Sequence, residues 1–288
     1  MTTILVATGT GTVAPAIVRA LANRPDVTVR AGFHDMDKAG SVQDLPNVEP
    51  IGFDFESDDS MRAALAGVEK VCLISPGLKG YHTEEVKRFI SLAVEAGVGH
   101  IVRISIVWAS DPAITFGRWH AEIERSVQES GLAWTVLRPQ PYMDNFIIYT
   151  PPDESGMIYM PVGMGATAYI STSDVGLAAA SVLTSTSKHN GATHLLSGPA
   201  ALTTPEAAAA IAEATRRSVQ FVDVPADAAR DAMQRFGAPG WLIDGQLECY
   251  ESMKRGETAT VTNAIERLTG ASPRSFTQFA EEHHDAWS

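Results

Sequence analysis

The sequence predicts an α/β protein built on a doubly wound parallel sheet with helices on both faces, and three observations support this. Short apolar runs alternate with segments of helical periodicity through the first half of the chain. The first run, Ile4–Ala7, leads through a glycine turn into Val13, Ile17 and Leu21 at helical spacing. The runs are continuously apolar, as expected for strands covered on both faces.

The glycine turn is the first candidate site. Gly9, Gly11 and Ala14 fit the pattern G-x-G-x-x-G/A, in which small residues allow a tight turn, close approach of a pyrophosphate and helix packing. The following helix N-terminus offers free N–H groups and a partial positive charge. The predicted cofactor-binding residues of this turn are Thr8, Gly9, Thr10, Gly11, Thr12 and Val13. The alternative is a tight turn that binds nothing.

The end of the second strand, Val27–Phe33, favours NADP(H) over NAD(H). Positions 30–34 hold no acid for a ribose 2′-hydroxyl, but Arg30 and His34 lie there and Lys38 follows. Cations attract a 2′-phosphate, so His34 and Lys38 are candidate cofactor residues. Alternatively, Arg30 and Lys38 are solvated surface charges.

Further strands are predicted at Val48–Phe53, Lys70–Ser75, His100–Ile106 and Leu132–Pro139, with helices between the later ones. Ligands of such sheets bind outside the carboxyl ends of the strands. The candidate residues at these ends are Asp54, Phe55, Ser75, Pro76, Ser105, Trp108, Pro139 and Tyr142.

The pattern changes after about residue 147. We predict a dinucleotide-binding domain over 1–146, completed by about 167–193, and a smaller α/β lobe over most of 147–288. Within the lobe, strands are expected at 157–160, 194–197 and 219–224, and a helix is expected to start with Thr204 as its cap. Later helices are expected near 226–235, 239–254, 261–268 and 275–286.

Composition limits the classes of function. The formal net charge is -12, so the surface repels nucleic acid and anionic lipid. No apolar run approaches the ~20 residues of a membrane span, and the N-terminus lacks a secretory pattern, so we expect a cytosolic protein. Cys72 lies in an apolar run as a core residue, and no zinc site or disulfide framework is expected. The run Glu281–Asp285 is interpreted as a solvated helix end, because adjacent helical residues diverge.

Several stretches together resemble NmrA-like proteins, which are atypical short-chain dehydrogenases/reductases. These are Ile4–Val18, Arg30–Asp35, Gly117–Glu124, Ser130–Pro139 and Ile265–Gly270. The resemblance implies an NADP-binding Rossmann domain and a smaller C-terminal lobe, with a substrate between them. Members include quinone, triphenylmethane dye and azo reductases, ketoreductases of natural-product pathways and non-catalytic redox sensors.

Two positions depart from the family's pattern. The glycine turn of the family reads G-x-x-G-x-x-G, which places Thr8, Gly11 and Ala14 at its three positions. The Tyr-x-x-x-Lys pair of ordinary short-chain dehydrogenases is replaced by Phe116 and His120. Phenylalanine cannot donate a proton.

The resemblance also implies roles for individual residues. His120 would hydrogen-bond the cofactor ribose or donate a proton near neutral pH, unless it is only structural. Ser105 corresponds to the substrate-polarising serine, and Tyr142 is a candidate acid near the nicotinamide. The predicted substrate contacts are Trp108, Tyr81 and Met143, and His82 is a further candidate.

We therefore predict an NADPH-dependent reductase of a flat conjugated carbonyl or quinone-like molecule, which transfers hydride without the usual tyrosine acid. One alternative is a non-catalytic NADP(H) sensor that regulates a partner protein. Another is a redox-neutral enzyme on a Rossmann fold that no longer binds cofactor. The sequence leaves monomer and homodimer open.

Overall fold

The computed structural model describes residues 1–75, 82–185 and 188–287. Its strands are β1 Thr2–Val6, β2 Val27–Phe33, β3 Val48–Gly52, β4 Lys70–Ile74, β5 His100–Ile104, β6 Ala133–Pro139, β7 Met157–Met160, β8 Ala192–Leu196 and β9 Gln220–Asp223. Its helices are α1 Ala14–Ala22, α2 Asp58–Leu65, α3 Thr83–Glu95, α4 Thr115–Gln128, α5 Asn145–Ile148, α6 Thr172–Thr184, α7 Thr204–Thr215, α8 Ala226–Arg235, α9 Gly240–Lys254, α10 Ala264–Thr269 and α11 Phe276–Glu282.

The larger sheet contains seven of the described strands in the order β3-β2-β1-β4-β5-β6-β8. The register of β1 with β2 and β4, of β2 with β3, and of β5 with β4 and β6 is parallel. The order of the first six strands is that of a Rossmann sheet, in which the strand order along the sheet reverses between β1 and β4. The predicted α/β fold with a doubly wound sheet is confirmed.

Helices cover both faces of this sheet because side chains alternate along its strands. On one face, Leu5 of β1 and Leu73 of β4 share a buried core with apolar residues of α2, α3 and α4. On the other face, α1 packs against α6. Gly176 of α6 makes this contact close, since a Cβ there would lie 2.7 Å from the carbonyl oxygen of Ala16. The loops at the carboxyl ends of the strands are thereby held on a rigid base.

The chain divides into two compact units that interleave along the sequence. The first comprises Met1–Ala109, Trp119–Arg138 and Thr172–His194, and the second Ser110–Arg118, Pro139–Ser171 and Leu195–Ser288. In the second unit, β7 and β9 form a parallel pair, and α7 packs on β9 and α11. The sequence-based division at residue 146 stays a prediction.

Some predicted boundaries were wrong. The cap of α7 is Thr203, not Thr204, and it forms a capping box in which Thr203 N donates to Glu206 Oε2 at 2.7 Å. Thr204 is buried in the first turn. The sequence alone could not choose between two adjacent threonines, although the Glu three residues after Thr203 is the signal that identifies the cap.

Among the described residues, no helix has the length and apolar character that crossing a membrane requires. In that same part of the chain, no group of three or more His, Cys, Asp or Glu side chains could hold a metal ion.

Candidate active site

A groove lies at the carboxyl ends of β1 to β4, entirely within the first unit. Its volume is about 270 Å³. The lining residues are Ala7, Thr8, Thr10, Thr12, Val13, Gly32, His34, Phe53, Asp54, Phe55, Glu56, Ile74, Ser75 and His82. This is the position at which doubly wound sheets bind their ligands.

The two glycines of the first turn are required for different reasons. Gly9 N donates to Gly32 O at 2.5 Å. A Cβ on Gly9 would lie 2.3 Å from the Phe33 ring, so the turn can pack on β2 only without a side chain. Gly11 has φ +88°, a conformation that other residues rarely adopt. The turn is therefore fixed even though its glycines do not follow the family's spacing.

The helix that follows presents its free N–H groups to this turn. α1 begins at Ala14, and its N-cap, Val13, makes no side-chain capping hydrogen bond with any described residue. Three of its neighbours in the groove are threonines, whose hydroxyls can donate to an anion: Thr8, Thr10 and Thr12. Free N–H groups, hydroxyls and a helix dipole together suit a phosphate.

Most of the predicted cofactor residues share this groove. Those that line it are Thr8, Thr10, Thr12, Val13, His34, Asp54, Phe55 and Ser75. Gly9 and Gly11 form the turn without being among the lining residues. Pro76 and Tyr81 lie outside the described residues. Five further lining residues were not predicted, although each lies within two residues of a predicted one: Ala7, Gly32, Phe53, Glu56 and Ile74.

The three basic residues that follow the first turn have different surroundings in the structure. Arg30 is half-buried and is not among the residues that line the groove. Its Nη1 donates to Ala64 O at 2.9 Å and to Ala66 O at 2.8 Å. It thereby binds carbonyls at the C-terminal end of α2.

Of the other two basic residues, His34 lines the groove, with its Nδ1 3.7 Å from Asp54 Oδ1. Lys38 is exposed on a 3₁₀ helix over Met36–Ser41, with its Nζ 3.7 Å from Asp35 Oδ2.

A buried arginine adjoins the groove. Arg103 of β5 is fully buried. Its Nη1 donates to Leu73 O at 3.2 Å, and its Nη2 donates to Ser75 Oγ at 2.8 Å. The same Nη2 lies 3.2 Å from Nδ1 of His120 on α4. Arg103 is not among the residues predicted for the site, although a charge within a buried strand is itself a signal of a polar network.

Ser105 belongs to a second chain of contacts on the same elements. Its hydroxyl donates to Glu124 Oε1 at 2.5 Å. Arg138 binds that carboxylate bidentately, with Nε–Oε1 at 2.9 Å and Nη2–Oε2 at 2.5 Å. Ser105 is only 2% exposed and its single hydrogen is used, so its predicted role of donating to a substrate carbonyl does not fit this structure.

The predicted role of His120 as a proton donor near neutral pH also needs correction. Burial of the ring, with the positive charge of Arg103 beside it, lowers the pKa of His120 well below its usual value. The imidazole is therefore neutral at neutral pH, and a neutral imidazole is a weak acid. Hydrogen bonding to a ribose hydroxyl remains a prediction for this residue.

Three predicted positions lie in the second unit, namely Phe116, Tyr142 and Met143. Phe116, which replaces the usual tyrosine, packs so closely on α9 that a Cβ on Gly245 would lie 2.5 Å from its ring. Met143 is 1% exposed, which contradicts its predicted contact with substrate. Tyr142 is partly buried and bridges to Ile170, so it stays a candidate acid.

The remaining predicted positions are Trp108 and Pro139. Trp108 is partly buried in a 3₁₀ helix over Val107–Ser110, and Pro139 is buried at the end of β6. Pro139 and His120 are not among the lining residues of the groove as the structure describes it. The roles predicted for Trp108 and Pro139 stay predictions.

Comparison with known proteins gives a consistent picture. The model of the NmrA-like family matches residues 1–280. The chain is 33% identical to an NAD(P)H azoreductase of Xenophilus azovorans over 99% of both chains.

Two solved structures share the fold. An NADPH-dependent quinone oxidoreductase from Escherichia coli, solved with NADPH, superposes with a TM-score of 0.85 at 24% identity and covers 98% of this chain and 99% of that one. The triphenylmethane reductase of Citrobacter sp., solved with NADP(H), gives a TM-score of 0.85 at 22% identity and covers 98% and 100%.

Proposed function

The chain belongs to the NmrA-like family, and from this premise we propose that it is an NAD(P)H-dependent oxidoreductase. We propose further that it prefers NADPH and reduces a flat, conjugated small molecule such as a quinone or a conjugated carbonyl. The observation that carries the proposal is the groove at the end of β1, in which a glycine turn, threonine hydroxyls and an uncapped helix start meet. The azoreductase relative supports the reaction type.

The residues of the groove fit a dinucleotide. Thr8, Thr10 and Thr12, with the start of α1, would hold the pyrophosphate. Lys38 and His34 would approach a 2′-phosphate from the end of β2. Ser75 would lie toward the nicotinamide, next to the buried Arg103. The bound cofactor would supply the hydride.

The choice of substrate class follows from the supply of protons. The positions that carry the acid, the lysine and the serine of ordinary short-chain dehydrogenases supply no proton here: Phe116 cannot donate one, His120 is neutral, and the hydrogen of Ser105 is bound to Glu124. Tyr142, in the second unit, is the candidate acid that remains. Reduction of an isolated ketone would leave a strongly basic alkoxide that needs an acid at once. A quinone or extended conjugated carbonyl leaves a delocalised anion, which can be protonated later by water. Such substrates therefore suit this site better than saturated ketones.

Consumption of NADPH tests this proposal. A panel of quinones, azo compounds and conjugated ketones would be compared with saturated ketones of similar size, after calorimetry has established binding of NADPH and NADH. We expect tighter binding of NADPH and turnover confined to the conjugated compounds. Turnover of saturated ketones at equal rates would contradict the argument from proton supply, and absence of binding with either nucleotide would refute the assignment.

A second candidate function is a non-catalytic sensor of the NADP(H) redox state. The observation that favours it is Phe116, whose ring packs on Gly245 of α9 where ordinary short-chain dehydrogenases carry the tyrosine acid. A sensor would bind NADP and NADPH with different affinities, show no turnover on the panel, and retain a partner protein in a pull-down in only one redox state.

A further inference from the structure

The strongest unexplained feature of the first unit is the fully buried Arg103. A lone charge inside a parallel sheet is strongly disfavoured unless hydrogen bonds compensate for lost hydration. Its guanidinium binds Leu73 O, Ser75 Oγ and the ring of His120. Of these, Ser75 lines the groove. The arginine therefore joins the groove to His120.

The contact with His120 determines where that imidazole carries its proton. A guanidinium has only N–H donors and no acceptor. At 3.2 Å from Nη2 of Arg103, Nδ1 of His120 can take part in a hydrogen bond only as an unprotonated acceptor. A neutral imidazole with a bare Nδ1 carries its hydrogen on Nε2, so the ring presents Nε2–H as a donor.

The contacts of Ser105 do not favour the other tautomer, in which Nδ1 carries the hydrogen. Ser105 Oγ lies 3.4 Å from the same Nδ1, and its oxygen could accept a hydrogen from a protonated Nδ1. The shorter contact of that hydroxyl is with Glu124 at 2.5 Å. Both oxygens of Glu124 accept from Arg138, and the Ser105 hydroxyl donates to one of them, so its hydrogen points to Glu124 and leaves Nδ1 to Arg103.

We infer that Arg103 is a positioning residue that holds His120 as its neutral Nε2–H tautomer, so that His120 serves as a hydrogen-bond donor to a hydroxyl of the bound cofactor. This inference rests on the proposed function. Arg103 thus fixes the ring nitrogen of His120 that carries the hydrogen. Glu124, held by Arg138, binds the hydroxyl of Ser105, so that Ser105 does not replace Arg103 as the partner of Nδ1. The lowered pKa of His120 agrees with this arrangement, because the same positive charge opposes protonation of the ring.

Nitrogen-15 NMR of the histidine rings tests the inference in cofactor-free protein, so the result does not depend on the proposed function. Cross-peaks between ring nitrogens and carbon-bound hydrogens distinguish the two tautomers, and His120→Gln identifies the resonances by their loss. The wild type should show Nε2–H near neutral pH. A wild-type ring with Nδ1–H would overturn the inference without any variant of Arg103.

Two substitutions extend the test. Arg103→Met removes the charge and the donors at similar volume, and the His120 ring should then show mixed tautomers and begin to protonate nearer neutral pH. Arg103→Lys keeps a donor and should restore the tautomer at least in part. An unchanged ring in a folded Arg103→Met protein would overturn the inference. His100, a buried histidine of the same strand, serves as an internal control.

Kinetics show whether the tautomer matters for the cofactor. Arg103→Met should raise KM for NADPH by roughly fivefold to tenfold, as expected for one lost hydrogen bond, with a smaller change in kcat, and should add an ionisation to the pH profile. Arg125→Met, an exposed arginine of α4, is the matched control and should change neither value. If neither the wild type nor any variant binds NADPH, but the His120 ring shows the expected tautomer, the proposed function fails. The inference that Arg103 sets the tautomer of His120 then still holds.

Discussion

Acid should destabilise this protein through His100, the first residue of β5. The ring is fully buried, and its Nε2 lies 3.0 Å from Thr135 Oγ1. The Thr135 hydroxyl donates to His189 O at 2.8 Å, so it must accept from Nε2–H of His100. Nδ1 is buried without a hydrogen-bond partner among the described residues. A protonated ring would therefore place an unpaired charge in the core.

The size of the loss in unfolding free energy follows from the pKa shift of His100. Burial, with smaller effects from Lys70 and His189, lowers the pKa of His100 from 6.5 to about 4. The unfolded chain thus binds this proton more tightly than the folded one, so the free energy of unfolding falls as pH falls from 6.5 toward 4. At about 1.4 kcal/mol per pKa unit, the loss across this window is about 3 kcal/mol.

Denaturant unfolding as a function of pH measures this effect. His100→Gln keeps an amide donor for Thr135 but cannot protonate, so its stability should depend less on pH than that of the wild type by about 3 kcal/mol over the window. His284→Gln, at an exposed histidine, is the control and should follow the wild type. Parallel curves for the wild type and His100→Gln would refute the reasoning.

Three further predictions concern the groove and the thiols. Gly9→Ala should weaken NADPH binding by at least about tenfold in calorimetry, because its Cβ meets the Phe33 ring at 2.3 Å and the turn must shift; equal affinity would show that the ring yields freely. His34→Glu places a carboxylate beside a 2′-phosphate and should lower the ratio of NADPH to NADH affinity on the order of tenfold, and an unchanged ratio in calorimetry would remove His34 from cofactor selection. Burial raises the pKa of Cys72 and of Cys249 to about 12, so neither thiol should react with a disulfide reagent until the protein unfolds; fast labelling in the native state, followed by absorbance, would contradict this.

The features that the sequence predicted well depend on local pattern. The apolar runs and helical spacing identified the strands and helices of the sheet, and the fold class followed because few topologies satisfy that alternation. The turn between β1 and α1 could be predicted because the positive φ at Gly11 favours glycine, which is visible in the sequence.

The features that the sequence did not predict depend on contacts between distant segments. Arg30 and Arg103 look alike as single charges in strands, yet one binds the end of α2 and the other binds Ser75 and His120. Met143 lies close to the predicted strand end but is buried, and its methyl lies near Gly198, more than 50 residues later, where a Cβ would be 3.4 Å from it. No local pattern records such pairings.

The interleaving of the two units has a consequence for synthesis of the chain. The first unit includes Thr172–His194, and its α6 carries the glycine that lets it pack on α1. A ribosome that has released only the first 146 residues has therefore not yet supplied the cover for the apolar side of α1. We expect a chain truncated at residue 146 to aggregate and to be poorly soluble. The first unit should complete its folding only after more than two-thirds of the mRNA has been translated.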